Sequence, residues 1–506
     1  MSSHEGGQDR EIEALRQSFL RGFVARFSHP FLVSWLLTYA ALAEPAATAQ
    51  KGDWPMWGGS PDRNMASGER DIATKWNLKT GESIKWTAPL GSQSYGNPVI
   101  AGGKIFVGTN NNGQFRPEIK GDKGIVLCFK EVSGELLWQA THDKLPTGRV
   151  NDWPEQGICS SPCVDGDRLY YVSNRCELVC ADVEGFLDGE NDGPFQAEQY
   201  KERQDGDFVW VLDMIEELGV FPHNLATSSP VVVGDAVFAH TSNGVDEGHL
   251  NLPSPNAPAF VAMNKKTGKV LWDRNDPGEH TLHGQWSSPA YGVMKGKGQV
   301  IFAGGDGWCY SLEPKTGELI WKFNLNPKDA KYELGGRGTK SYIIATPVIH
   351  DDKVFLSVGQ DPEHGEGPGH LYAIDGTMTG DVTETARVWH RGGADFHRTL
   401  STVAVMDGVV YAADLSGYLY CLDEKTGQLH WKYDTQSAIW GSPYVVDGKV
   451  FLGDEDGDVA VLQHGRELKV LATNDMQNSV YTTPVAANGV LYIANRRLLV
   501  AIGEKK

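Results

Sequence analysis

The sequence predicts an all-β protein, an eight-bladed β-propeller with four-stranded antiparallel blades that is closed by an N-terminal strand. Three observations support this prediction. A hairpin motif occurs eight times, an outer-strand motif is associated with each hairpin, and the two series are offset by one copy at the chain ends. The composition agrees, because 59 glycines and 15 tryptophans among 506 residues are typical of short strands joined by tight turns.

The hairpin motif is a small residue, usually followed by proline, then an apolar strand, a tight turn and a second apolar strand. Turns such as Asp165-Gly166 and Asn488-Gly489 suit a hairpin. Proline is tolerated at the start of a strand with a free edge, which favours the innermost strand of a blade. The copies begin at Asn97-Pro98, Ser161-Pro162, Ser229-Pro230, Ser288-Pro289, Thr346-Pro347, Ser401-Thr402, Ser442-Pro443 and Thr483-Pro484.

The outer-strand motif is a third strand, a Thr-Gly turn and a fourth strand that carries a tryptophan. Its tryptophans are Trp138, Trp210, Trp272, Trp321, Trp389 and Trp431, and the tryptophan is lost near Val470. One more copy, Thr80-Gly81 with Trp86, precedes the first hairpin, whereas no copy follows the last hairpin. We therefore expect a strand at about residues 83–90 to complete the last blade, because a closed ring leaves no sheet edge unpaired.

These motifs resemble the quinoprotein-type (PQQ-like) propeller repeat over roughly Trp54–Gly503. The stretch Trp54-Pro55-Met56-Trp57-Gly58-Gly59 is similar to the segment that leads into the propeller of PQQ-dependent dehydrogenases. The resemblance implies an eight-bladed ring in which blade-end tryptophans pack between neighbouring blades. It leaves function open, because propellers host many unrelated activities.

Residues 1–49 are expected to be an export signal and a short linker, followed by the propeller domain over 50–506. A segment with Arg16, Arg21 and Arg26 precedes an apolar run, Phe31–Ala43, and small residues suit cleavage after Ala43 or Ala49. An uncleaved anchor is the alternative, although the run is short for a membrane span. The sequence thus predicts a protein of the periplasm or cell envelope.

The formal net charge of −19 disfavours nucleic acid as a partner, because an acidic surface repels phosphates. We expect a monomer whose partner is an envelope protein or a small-molecule ligand.

The cysteines divide into two groups. Third-strand alignment places three of them in a column of small residues where blades approach closely, which indicates packing. The column is Cys128, Cys180, Ala262, Ser311, Ala373, Cys421, Ala460 and Ala501. Cys159 and Cys176 lie outside this column on loops of one face, so a disulfide between them is a candidate. A zinc site is the alternative, but no Cys-x-x-Cys pair supports it.

The residues just before the innermost strands should face the mouth of the central channel, and many are aromatic or basic. They would suit a planar, anionic or polyhydroxylated ligand. The alternative is that they fill the channel and cap strand ends. The candidate ligand-binding residues are Tyr95, Trp153, His223, Asn224, His283, Trp286, Tyr342, His397, Arg398 and Trp440, with Tyr481 beside them.

A possible calcium loop contains Asp188, Glu190 and Asp192, acidic residues that alternate as in calcium-binding loops. Its twelfth position is Gln199 rather than an acid, so a solvated insert is the alternative.

Two functions remain open. The first is a ligand- or protein-binding module of the cell envelope, similar to the propeller lipoprotein of outer-membrane assembly but with longer loops and no lipidation cysteine. The second is a PQQ-dependent alcohol or sugar dehydrogenase, which would imply PQQ with calcium. The dehydrogenases' adjacent Cys-Cys pair and Cys-x-x-Cys-His motif are absent, and Asp395 beside His397 is the candidate base. The binding module is favoured.

Overall fold

The computed structural model describes residues 51–504 except 114, 361, 365 and 366. The predicted export signal and its cleavage sites lie outside the described residues. The described chain forms eight antiparallel sheets arranged as the blades of one propeller, which confirms the predicted fold class. No helix among the described residues is long and apolar enough to cross a membrane.

The strands of each blade follow from inside to outside. The first four blades contain Val99–Ala101, Lys104–Asn110, Lys123–Lys130 and Leu136–Asp143; Cys163–Asp165, Arg168–Val172, Glu177–Asp182 and Phe208–Asp213; Val231–Val233, Ala236–His240, Phe260–Asn264 and Val270–Arg274; Ala290–Met294, Lys297–Ala303, Trp308–Leu312 and Leu319–Asn324. The last four contain Val348–His350, Lys353–Val358, Pro368–Asp375 and Arg387–His397; Ala404–Met406, Val409–Ala413, Tyr418–Asp423 and Leu429–Asp434; Tyr444–Val446, Lys449–Gly453, Asp458–Gln463 and Val470–Asp475; Val485–Ala487, Val490–Ala494, Leu498–Ile502 and Ile84–Pro89.

Short elements decorate this ring. The two-residue strand Gly380–Asp381 pairs in parallel with the outer strand of blade four. The two-residue strand Ala66–Ser67 pairs in parallel with the innermost strand of blade seven. One α-helix, Met214–Leu218, follows blade two, and Asp213 caps it by accepting from the amides of Ile215 and Glu216. The 3₁₀ turns are Asn111–Gly113, Gly148–Val150, Gly185–Leu187, Gly278–His280 and Pro362–His364.

The ring closes where the sequence predicted. The N-terminal strand Ile84–Pro89 pairs antiparallel with Leu498–Ile502, and Trp86 lies opposite Ala501. The closing strand supplies the outermost position of blade eight, so the first and last parts of the propeller share one sheet.

Each blade-end tryptophan joins its blade to the next one. The Trp86 indole donates to the carbonyl of Glu131 over 3.0 Å. Its ring covers Gly134, where an added Cβ would lie 2.5 Å from a ring carbon. Gly134 also has a φ of 70°, so this copy of the turn, Ser133-Gly134, supplies both the left-handed backbone and the space for the ring. Equivalent indole-to-carbonyl bonds are made by Trp138, Trp210, Trp272, Trp321, Trp389 and Trp431.

Strand register explains the column of small residues and corrects one member. Cys128 lies opposite Trp138, and Cys180 and Cys421 lie opposite their own tryptophans, just before a bulge. In blade seven the residue at this register is Val461, opposite Ala472. The assignment of Ala460 is therefore wrong by one residue, because the loss of tryptophan removed the marker that aligned this blade.

A belt of hydrogen bonds circles the channel where the innermost strands begin. The backbone N–H of seven of the eight belt residues donates to the side chain of the belt residue in the next blade, which explains why these positions hold Ser, Thr or Asn. The links run from Asn97 to Ser161, Ser161 to Ser229, Ser229 to Ser288, Thr346 to Thr402, Thr402 to Ser442, Ser442 to Thr483 and Thr483 to Asn97, over 2.9–3.2 Å.

The segment 52–67 lies inside the channel, beyond the belt in the direction in which the innermost strands run, and is called the plug. Its polar groups pair with the exposed inner edges of the blades, which would otherwise lack partners. Backbone bonds of 2.7–3.1 Å join Gly52 to Asn488, Trp54 to Ile100, Pro55 to Val164, Pro61 to Tyr291, Asp62 to Ile349 and Met65 to Val445. The Asn64 side chain pairs with the backbone of Val405.

Arg63 is the centre of this plug and is fully buried. Its guanidinium donates to the carbonyls of Pro289, Trp57 and Ser229 over 2.8–2.9 Å. Burial lowers the pKa of Arg63 to about 10, and the three carbonyls keep its N–H groups satisfied. With Arg63, the plug contacts all eight blades, and its Trp57 lines the cavity at one end of the channel.

Candidate functional site

The open end of the channel is a pocket of about 430 Å³ above the plug. The loops that lead into the innermost strands supply its aromatic walls, which are Tyr95, Trp153, Trp286, Trp440 and Tyr481. Trp57 of the plug also lines it, and the Trp57 indole donates to the Thr346 hydroxyl over 3.1 Å. Among the described residues, Ser288 and Thr346 are the one pair of neighbouring belt residues without such a link, and Trp57 bonds to this Thr346.

One wall of the pocket is a continuous aromatic surface. Tyr95 and Tyr481 stack with ring centroids 5.3 Å apart, and Trp440 packs against Tyr481 at 5.0 Å. Glu455 holds this wall in place, because its carboxylate accepts from the Tyr481 hydroxyl and the Trp440 indole. Burial raises the pKa of Tyr95 above its usual range, so its hydroxyl stays protonated at neutral pH.

The polar part of the lining is neutral. Seven of the eight belt residues line the pocket, together with Gln156, Asn224 and Thr227. Burial raises the pKa of the Cys159 thiol in the wall to about 12, so it is a thiol rather than a reactive thiolate at neutral pH. Among the lining residues that the structure describes, Glu363 is the one acid, and there is no lysine, arginine or histidine.

The structure separates the predicted ligand-binding residues into two sets. Tyr95, Trp153, Asn224, Trp286, Trp440 and Tyr481 line the pocket. The others lie outside its lining and are His223, His283, Tyr342, His397 and Arg398. Three of these pack against Trp286, with ring centroids at 5.2 Å for His283, 5.7 Å for Tyr342 and 6.0 Å for His223.

The candidate base Asp395 does not reach the pocket. It is exposed on the outer strand of blade five, because side chains alternate along a strand and its neighbour Phe396 is the buried one. His397 instead has its Nδ1 atom 3.1 Å from Asp414, while Arg398 donates to the carbonyl of His364. The predicted catalytic role of Asp395 has no support in this geometry.

The candidate calcium loop does not gather its carboxylates. Asp192 pairs with Arg168 at 2.8 Å, and Asp188 accepts from the amide of Glu190. Among the described residues, these three acids do not form a group whose oxygens lie close enough to share a cation. The candidate metal site at Asp188, Glu190 and Asp192 therefore gains no support from this geometry and stays a prediction.

The predicted disulfide is also absent. Cys159 and Cys176 are both free thiols, and Cys176 is fully buried with its Sγ donating to the carbonyl of Thr241 over 3.1 Å. Although both cysteines come from loops of one face, Cys176 points into the contact with blade three and Cys159 lines the pocket. Strand topology alone did not show these directions.

Several site residues escaped the sequence analysis. Trp57 lay in a recognised lead-in segment, but nothing in the sequence placed that segment inside the channel. His249 and Glu363 lie in long loops between strands, where no periodicity indicates a side-chain direction.

Two groups of described residues could hold a metal ion. His223, His249 and His283 place one ligand atom each within 4.8 Å of one another. His350, Asp351 and Glu424 do the same, but Glu424 pairs with Lys353 at 3.1 Å, so a cation already neutralises it.

The fold and the pocket define a propeller of the PQQ-like repeat class. A family model described as "Outer membrane protein assembly factor BamB" matches residues 205–392 and 379–504. The chain belongs to this family.

Curated relatives are distant. The outer membrane protein assembly factor BamB of Yersinia pestis is 23% identical over 291 residues, which cover 57% of this chain and 65% of that protein. Tetrathionate hydrolase of Acidithiobacillus ferrooxidans is 27% identical over 38% of this chain and 37% of that protein. The dehydrogenase subunit of a quinone alcohol dehydrogenase from Gluconobacter oxydans is 34% identical, over 26% of this chain and 15% of the subunit. The chain thus spans less than two thirds of the length of each.

Solved structures agree in fold. BamB from Moraxella catarrhalis superposes with a TM-score of 0.51 at 15% identity, covering 76% of this chain and 93% of that one. A quinohemoprotein alcohol dehydrogenase from Pseudomonas putida gives a TM-score of 0.59 at 13% identity, covering 92% and 84%. At these identities the likeness concerns the fold alone.

Proposed function

We propose that this protein is an exported, non-catalytic binding module of the cell envelope whose pocket takes a small uncharged ligand with a flat face and hydroxyl groups. The observation that carries this proposal is the lining of the pocket, in which aromatic rings and neutral polar side chains surround a cavity closed by the plug.

The aromatic wall supports a ligand with a flat face. Tyr95, Tyr481 and Trp440 already stack on one another, so a flat ring can join them without a change in the protein. Preformed aromatic surfaces bind at low entropic cost, because their side chains lose little freedom when the ligand arrives.

The belt supports hydroxyl recognition. The hydroxyls of Ser161, Ser229 and Ser288 each accept a backbone N–H from the neighbouring blade. A hydroxyl used as an acceptor still has its own O–H to donate. These groups can therefore bind ligand oxygens while they hold the blades together.

A quinone cofactor fits the pocket poorly. PQQ is an anionic polycarboxylate, and the described lining contains no cationic side chain to bind it. Calcium prefers six to eight oxygen ligands, usually with several carboxylates, whereas Glu363 is the one acid among the described lining residues. The second candidate, a PQQ-dependent alcohol or sugar dehydrogenase, is favoured by the lead-in segment Trp54–Gly59 and by the partial match to quinone alcohol dehydrogenase subunits.

An envelope location is part of the proposal. The predicted export signal supports it, as does the family match to a protein described as an outer membrane assembly factor. Binding of a partner protein at the same mouth is compatible with this location.

The test uses the full chain and isothermal titration calorimetry with a panel of neutral aryl glycosides. We expect at least one to bind with one site per chain, and Trp440→Ala should weaken that binding by about tenfold or more, since a stacking contact is worth about 0.5–1.5 kcal/mol beyond area burial. Trp308→Ala is the matched control, because Trp308 lies under Lys322 at 4.7 Å and does not line the pocket.

Two results would overturn the proposal. One is that no member of the panel binds, or that Trp440→Ala binds as well as the wild type. The other is stoichiometric binding of PQQ with calcium together with dye reduction in the presence of an alcohol or sugar, which would establish the dehydrogenase instead.

A further inference from the structure

We propose that His223, His249 and His283 form a binding site for a divalent transition metal ion of the zinc type, next to the pocket wall. This site is independent of the ligand proposed above, since none of the three residues lines the pocket. Three features support this site: the spacing of the nitrogen atoms, the hydrogen bonds behind them and the segments that they join.

The nitrogen spacing matches shared coordination. The Nε2 atoms of His249 and His283 are 3.4 Å apart. Two nitrogens at zinc–nitrogen distances of about 2.0–2.1 Å and a tetrahedral angle are separated by roughly 3.3–3.4 Å. His223 completes the group, because one ligand atom from each residue lies within 4.8 Å of the others.

The hydrogen bonds behind two of the rings orient them as metal ligands. His223 Nδ1 lies 2.7 Å from the carbonyl oxygen of Val245, which can only accept, so Nδ1 carries the proton and Nε2 carries the lone pair. His283 Nδ1 is 3.0 Å from the Tyr342 hydroxyl. Metal-binding histidines typically use their second nitrogen in this way, which fixes both the tautomer and the ring direction.

Packing brings the three rings together at short range. Ring centroids are 4.5 Å apart for His223 and His283, 4.5 Å for His249 and His283, and 4.8 Å for His223 and His249. His223 and His283 are fully buried, and His249 is half-buried.

The three histidines come from separate segments. His223 precedes the innermost strand of blade three, His249 lies in the long loop between the second and third strands of that blade, and His283 precedes blade four. A metal ion would therefore tie the long loop to the entry of two blades. Trp286 connects the proposed metal site to the pocket, because it packs against His283 and lines the cavity.

Zinc binding to the metal-stripped full chain tests the site. Equilibrium dialysis with zinc chloride should give about one zinc per chain, and His249→Ala should weaken binding by roughly 100-fold because it removes one of three ligands. His249 is the ligand to change first, since it is half-buried and its loss disturbs packing least. His390→Ala is the matched control, because His390 and His370 also place two ring nitrogens 3.0 Å apart, on blade five.

Cobalt provides a second readout that does not depend on the variant folding. Cobalt(II) bound to the wild-type chain should show the intense visible absorption of tetrahedral coordination, and zinc should abolish it by displacement. Wild-type protein that binds no zinc, or a folded His249→Ala variant that binds zinc as tightly as the wild type, would overturn the site. Zinc binding that is lost in His390→Ala would overturn it as well.

Discussion

His240 is a buried side chain that makes the stability of the propeller depend on pH. Its imidazole packs edge-on against Phe260 and Phe302, which stack on each other, with centroids at 5.2 and 5.1 Å. Its Nε2 lies 3.1 Å from the carbonyl of Ala303. Burial lowers the pKa of His240 from 6.5 to about 3, so the folded protein holds a neutral ring.

The sign of the pH effect follows from this shift. An unfolded chain takes up a proton on His240 near pH 6.5, whereas the folded chain does so only near pH 3. Its contribution to stability is thus fully present above about pH 6.5 and is lost as the pH falls towards 3, by up to about 1.4 kcal/mol per pH unit. Urea denaturation at several pH values should show that the free energy of unfolding of His240→Gln falls less steeply with decreasing pH than that of the wild type. His280→Gln, at an exposed position, should keep the wild-type slope.

At the scale of the element, the Thr-Gly turn and the tryptophan of the preceding blade act as one unit. The turn glycine needs a left-handed backbone, and the indole occupies the space where a side chain would stand. Blade one contains an internal comparison. Gly103 and Gly134 both have positive φ values, of 77° and 70°, but an added Cβ meets nothing within 4 Å at Gly103 and meets the Trp86 ring at Gly134.

Gly134→Ala should therefore destabilise the fold more than Gly103→Ala. Both changes carry the cost of a left-handed alanine, about 1 kcal/mol, while Gly134→Ala also displaces the indole and weakens its bond to Glu131, for a further 2 kcal/mol or so. Chemical denaturation of the two variants side by side measures the difference. Equal losses of stability would mean that the tryptophan contact contributes nothing to the joint between blades.

At the scale of the whole molecule, the plug fills part of the central channel and forms the bottom of the pocket. Its segment crosses from blade to blade, and Arg63 holds the centre through three backbone carbonyls. The carbonyl of Trp57 is one of those acceptors, so the same arginine that supports the ring also supports the bottom of the pocket.

Arg63→Ala should lower the free energy of unfolding by about 3–5 kcal/mol, because it leaves three buried carbonyls without donors and opens a cavity. Thermal and urea denaturation check this. Arg70→Ala, an exposed arginine a few residues away, should change stability by less than about 0.5 kcal/mol. An Arg63 variant as stable as the wild type would show that the plug does not support the ring.

The fold was largely predictable because its signals repeat. Each hairpin, each Thr-Gly turn and the copy around Trp86 were visible as local patterns, and their offset indicated the closing strand. The third-strand alignment failed in blade seven, at Ala460, where the tryptophan that marks the register is missing.

The site was only partly predictable, because the sequence does not show in which direction a loop side chain points. Position ahead of an innermost strand correctly suggested Tyr95 and Trp440, because each such segment reaches the channel mouth. The same rule also selected His283 and Arg398, which lie outside the lining of the cavity. Trp57 and His249 came from segments whose path depends on long-range contacts, and no local pattern contains that information.

The closing strand also constrains the order of events during folding. Lys85 and Glu504, which touch across the seam of blade eight, are separated by 419 positions. The closing strand must wait without its partner until the residues between the two strands have been synthesised. Such distant pairing slows folding, because the entropy of closing so large a loop is lost before its contacts form. The same seam, once made, delays opening, so we expect the finished ring to persist through a high barrier to unfolding.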